Sequence, residues 1–267
     1  MILRNPKKNT SAFAFMMAIA FLFVPAAHAL NTCGNYFNDL TLSSDVTMPA
    51  NNTAPCILMQ AGKKLNLNGW AIRCASGSPC ANQPAVACAD YNGGLAVNSV
   101  IYGGTIDGNF SIGVDNCGTV RDMKMTGPTT GIRYSSNGKD YYRNVIQLTG
   151  TTGTGIDVKL EDSTDTIHDN RIDGGGTGIK VIGKSGSATG PRVYQNVIRG
   201  FATYGLRNAD STYVRFEESV MIEGLPGSTG VSIQSGNATL SGLVCEKGSQ
   251  CSCELDKVQA PGNCFTP

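Results

Sequence analysis

The chain has 267 residues, with 21 Lys and Arg against 20 Asp and Glu, a formal net charge of +1 and 33 glycines. A balance this close to neutral provides no electrostatic footprint for nucleic acid. One of its two histidines, His28, lies in the leader described next, which excludes metal sites built on several imidazoles.

Arg4, Lys7 and Lys8 precede an apolar run from Phe13 to Val24, and Ala27-His28-Ala29 follows. A basic n-region, an apolar h-region and an A-x-A site mark residues 1–29 as a secretory signal peptide. The run is shorter than the roughly 20 residues a membrane-spanning helix needs, and no later stretch qualifies. Removing the leader leaves 21 − 3 = 18 bases against 20 acids. The expected location is secreted or periplasmic.

All ten cysteines follow the leader: Cys33, Cys56, Cys74, Cys80, Cys88 and Cys117, then Cys245, Cys251, Cys253 and Cys264. An even count in an exported chain points to disulfides rather than metal. Cys88 and Cys117 fall at similar places in successive units, which suits a bridge between them. Clustering at the two ends suggests staples on caps, an N-terminal one at 30–60 and a Cys-rich C-terminal one at 241–267.

Between them, 61–240 repeats. Glycine followed by an aliphatic residue recurs at Gly113, Gly131, Gly155, Gly178, Gly205 and Gly230, at steps of 18, 24, 23, 27 and 25 by subtraction. A second series, aliphatic or Met, any residue, then Gly, keeps the same beat from Ile106-Asp107-Gly108 to Ile222-Glu223-Gly224. Two series in phase signify stacked units sharing one core. Short β-branched runs such as Val145–Leu148 and Val193–Ile198, broken by Gly, Asn, Ser or Asp, are strands. With no helix to make a crossover, the chain is expected to wind so that each strand pairs in parallel with its equivalent one turn away, at about 4.8 Å. About seven coils are marked.

Leu65-Asn66-Leu67-Asn68-Gly69-Trp70, the Gly-Ile rungs and the Asn-Val-Ile steps at Asn144 and Asn196 resemble the right-handed parallel β-helix superfamily, the pectin lyase-like solenoids. The resemblance covers about residues 60–240 and implies an all-β, right-handed solenoid. It transfers no active site: the signatures of polygalacturonases, alginate epimerases and pectate lyases have no match here.

The residue after each Gly-aliphatic pair should face out, giving a column Asp115, Arg133, Asp157, Lys180, Arg207 and Ser232. It is either a structural charge ladder or a groove for an acidic polysaccharide. β-Elimination at a uronic acid needs a cation to neutralise the carboxylate and a base for the α-proton. Lys180, Arg207 and Asp157 are the catalytic candidates, with His168, oriented by Asp169 or Asp165, as an acid/base. Arg133, Asp173, Arg199 and Tyr204 are the substrate-binding candidates. Asp173 and Arg199 belong to a second column with Asp107, Thr126, Thr149 and Glu223. Tyr141-Tyr142, Tyr204 and Tyr213 suit stacking on sugars, whereas Tyr134 falls in the inward phase. No resident cofactor or metal is expected; the acidic stretch Glu161, Asp162, Asp165 and Asp169 lacks the ordered spacing of a calcium loop. Asn144, Asn170 and Asn196, 26 apart, form an amide ladder. The expected partner is a polysaccharide or cell-surface glycan, bound or processed by lyase or epimerase chemistry. The alternative is a non-catalytic surface or adhesion module.

Overall fold

The computed structural model describes residues 29–30, 32–50, 52–75, 80–89, 96–160, 162–183, 190–210, 212–233, 237–246, 252–255 and 264–265. Residues 1–28, which make up all but the last position of the predicted leader, lie outside this set, as does most of 247–267. Among the described residues the regular structure is strand throughout, apart from one short 3-10 turn at Cys80–Asn82. Every pairing between these strands is parallel, and the partner is the equivalent strand one turn away. The protein is a parallel β-solenoid.

Each turn contributes a strand to three faces. The first face is a ten-stranded sheet that runs from Gly34–Tyr36 to Ser252–Leu255. The second and third belong to one 18-stranded sheet, because Ala96–Asp107 and Cys117–Thr126 run continuously through both. With ten strands in one sheet, the rod is somewhat longer than the glycine rungs mark. The additional turns are at the ends, where Gly34–Tyr36, Ile57–Gln60, Pro84–Ala89 and Ser252–Leu255 lack the Gly-aliphatic pair. Leu40–Leu42 and Val46–Met48, within the stretch assigned to the N-terminal cap, join the second and third faces in register.

The core is three columns of aliphatic and aromatic side chains. On the first face Val114, Ile132, Ile156, Ile179, Leu206 and Val231 stack in register and are fully buried. Ile101, Val120, Tyr141, Ile167, Val193 and Phe216 do so on the second, and Ile106, Met125, Ile146, Ile172, Ile198 and Met221 on the third. Apolar burial of this kind stabilises by roughly 1.5–3 kcal/mol for each large side chain. Tyr134 is buried as expected, but Tyr141 is buried too and reaches Cys117 O with its hydroxyl, so it cannot stack on a sugar.

The glycine rungs are required by proximity. A Cβ on Gly131 would lie 2.5 Å from Gly155 O and 2.6 Å from Ile146, and Gly155, Gly178 and Gly205 meet the same obstruction. At five successive turns the second-to-third-face corner is turned by one left-handed residue, Asp122, Arg143, Asp169, Gln195 and Glu218, with φ between 48° and 55°. The next residue at three of these corners is Asn144, Asn170 or Asn196, which are buried and joined by side-chain hydrogen bonds of 2.9 and 3.0 Å.

Cys33–Cys56 and Cys88–Cys117 tie neighbouring turns near the N-terminal end, and Cys74–Cys80 closes a six-residue span. Cys245 is also disulfide-bonded. Cys251, Cys253 and Cys264 lie outside the residues whose side chains are described.

Candidate functional site

The charged column forms on the outside of the first face in the expected register: Asp115, Arg133, Asp157, Lys180, Arg207 and Ser232. Four of its five charges form two ion pairs. Arg133 makes two bonds to Asp115, at 2.9 and 2.8 Å, and this hydrogen bonding raises the guanidinium pKa further. Lys180 Nζ donates to Asp157 at 3.0 Å. The Arg207 guanidinium lies 4.9 Å from the centre of the Tyr204 ring. Lys180, Arg207, Asp157 and Tyr204 therefore lie together, and Glu254 adds a further acid beyond Ser232 in the backbone register. An ammonium engaged with a carboxylate is not the uncharged amine that proton abstraction requires.

His168 is on the other sheet, in register with Tyr142 and Tyr194 on the outer side of the second face. The three rings stack face to face, with centroids 4.9 and 4.8 Å apart and planes within 6°. Arg143 lies 4.7 Å from the Tyr142 ring centre and Arg192 lies 4.6 Å from that of Tyr194. These neighbours occupy the ring faces, so the column offers solvent its edges and is no platform for a sugar face. His168 Nδ1 is 2.7 Å from Asp169 Oδ2, which makes Asp169, not Asp165, its partner. Arg143 is held by Asp122 at 2.6 and 2.9 Å, and that bond keeps the Asp122 carboxyl below its ordinary range. Arg192 is held by Glu217 at 2.6 Å. Burial raises the Tyr194 phenol.

The predicted column on the third face is partly corrected. Asp107, Thr126, Asp173 and Arg199 do align, but Gln147 and Ile222 occupy the places assigned to Thr149 and Glu223. Thr149 instead bonds to Gly127 O at 3.0 Å, and Glu223 is one of the left-handed residues, turned out of register with φ 53°. Asp173 holds Arg171 of its own strand at 2.9 Å, and Arg199 Nε is 3.9 Å from Glu223. Tyr213 meets Thr239 in a short hydroxyl contact.

The acidic stretch is dispersed as well. Asp165 is buried and accepts bonds from Asp162 N at 2.7 Å and Lys139 Nζ at 3.4 Å, while Asp169 faces His168. Glu161 lies outside the described residues. Among the described residues no group of His, Cys, Asp and Glu is arranged to hold a metal ion, and no helix is long and apolar enough to cross a membrane.

The aromatic stack was the feature sequence reasoning missed. Its signal was present: Tyr142, His168 and Tyr194 each stand two residues before an asparagine of the amide ladder and share its spacing. No family model matches this sequence, and neither a curated protein nor a solved structure matches it.

Proposed function

We propose that the protein is a non-catalytic module of the cell exterior, an exported, disulfide-stapled rod that meets surface glycans with its polar faces. The observation that supports this reading is the charge pairing in the column of the first face, Asp115 with Arg133 and Asp157 with Lys180. A flank of paired charges suits adherence and persistence outside the cell better than proton abstraction. Export is part of the proposal, on the strength of residues 1–29 and of cross-links suited to an oxidising compartment. The right-handed winding of the pectin lyase-like superfamily is part of it too.

One observation favours the other reading, a lyase or epimerase acting on an acidic polysaccharide. With Asp169 at Nδ1, His168 leaves Nε2 uncommitted to that bond, in a ring stacked between Tyr142 and Tyr194. The two readings part in one experiment. The protein is incubated with pectate, alginate and hyaluronan, with and without calcium, and followed by near-ultraviolet absorbance of unsaturated sugars and by proton NMR for epimers. The module reading expects binding on a glycan array and no product. Product formation that His168→Ala abolishes would overturn it.

A further inference from the structure

We infer that the N-terminal end of the first face carries a binding site for a neutral sugar residue. This rests on the module reading and deepens it by naming a ligand class. Before its first charge at Asp115, the outward column of that face runs Asn35, Leu58 and Ala87. There the surface forms an open recess of about 210 Å³, lined by Asn35, Tyr36, Phe37, Leu58, Met59, Gln60 and Ala89. That is smaller than a drug-sized ligand site, about 300–1,000 Å³, and limits the occupant to about one sugar ring.

The lining determines the ligand chemistry. Leu58 and Ala89 make an apolar floor over the buried Met59, and Phe37, 57% exposed, presents an aromatic ring beside it. An exposed phenylalanine next to an apolar recess suits the C–H face of a pyranose. Asn35 and Gln60 each bring a carboxamide with both donor and acceptor atoms, the complement of sugar hydroxyls. Tyr36 is fixed by its hydroxyl bond to Thr32 O at 3.0 Å. No lining residue carries a charge near neutral pH. A uronate carboxylate would be desolvated there without a cation, and an acyl chain would leave the carboxamides facing hydrocarbon; both are costly.

The disulfides give a second, independent reason. Cys33–Cys56 links the residues immediately before the two strands that supply Asn35 and Leu58, and Cys88–Cys117 ties the strand holding Ala89 to the next turn. The two staples bracket the recess and hold it in shape before a ligand arrives, which lowers the entropy cost of binding.

Calorimetric titration of the full mature chain with cellohexaose, mannohexaose, laminarihexaose and an oligogalacturonate tests the site. Binding of at least one neutral hexaose is expected, with no binding of the oligogalacturonate at the recess. Phe37→Ala should weaken the neutral complex by about tenfold, an aromatic contact's worth, and Gln60→Ala should weaken it as well. Trp70→Ala, which removes another exposed aromatic, should leave it unchanged. Circular dichroism confirms folding of each variant. No binding of any neutral hexaose, or binding indifferent to Phe37→Ala, would overturn the site. Neither result bears on whether acidic polymers are cleaved, so failure here is distinguishable from failure of the module reading.

Discussion

Asn144 donates its side-chain amide to Asn170 Oδ1 at 2.9 Å, and Asn170 repeats the bond to Asn196 Oδ1 at 3.0 Å, one turn further along the rod. The same oxygens accept main-chain N–H groups: Asn170 Oδ1 takes Asn144 N and Asn196 Oδ1 takes Asn170 N, each at 3.1 Å. The left-handed corners at Arg143, Asp169 and Gln195 interrupt the backbone ladder there. The amides supply the partners that buried backbone groups require.

Asn170→Ala should therefore destabilise the rod far more than an average polar substitution. It removes the acceptor of Asn144 and the donor to Tyr141 O and Asn196 Oδ1, all inside the rod. At about 1–3 kcal/mol for each buried group left unsatisfied, a loss of roughly 3–5 kcal/mol is expected. Urea unfolding measures it, and a loss below about 1 kcal/mol would mean that water replaces the amide.

Two glycines separate close approach from backbone freedom. A methyl on Gly155 would sit 2.6 Å from both Gly178 O and the Ile172 side chain, whereas Gly150, at φ 77°, has nothing within 4 Å of its missing Cβ. Gly155→Ala forces neighbouring turns apart and should cost about 3 kcal/mol. Gly150→Ala meets only the left-handed backbone penalty of about 1 kcal/mol. Thermal melts that rank Gly150→Ala as the less stable variant would contradict this account of the rungs.

The solenoid was legible because its two glycine series and its β-branched runs are local and periodic, and the column from Asp115 to Arg207 followed from strand alternation alone. The Thr149 and Glu223 assignments failed because a sequence period does not locate the left-handed residue that shifts register. Tyr141 was misassigned to the surface since the adjacent tyrosines give no phase until the Asn144 corner is known. The recess at Phe37 was not legible, as its turn carries no rung and its lining comes from three separate strands.

Asp165 and Asp122 should give opposite pH dependences. Burial, the larger influence, raises the Asp165 carboxyl above the ordinary 3.8. The folded state then binds that proton more tightly, so the contribution is full below the unfolded value and is lost as pH rises through the folded one. Asp122 is lowered, chiefly by its bond from Arg143. Its contribution is present above the unfolded value and is lost as pH falls through the folded one. Against wild type, Asp165→Asn should therefore gain relative stability as pH climbs upward from about 4, and Asp122→Asn should lose it as pH climbs toward about 4 from below. Urea midpoints across both ranges decide the matter, and slopes of the same sign for both variants would be incompatible with these burials and bonds.

Cys88–Cys117 spans 29 residues and Cys74–Cys80 only six. If each bond acts mainly by restricting the unfolded chain, their removal should cost about 3–4 and about 2 kcal/mol respectively. The effect of the longer bridge should also be local. It secures the turns that frame the recess, while Ile179 and Leu206 lie several turns further along, in a stretch held by hydrogen-bonded ladders and a continuous core. In a solenoid each turn meets only its neighbours, so loosening at one end need not reach the other. For the Cys88→Ala/Cys117→Ala variant, hydrogen exchange should accelerate at Ile57–Gln60 and Pro84–Ala89, with Thr177–Ile182 still protected. Uniform acceleration along the whole rod would show that the turns unfold as one cooperative block and that the staple stabilises all of them alike.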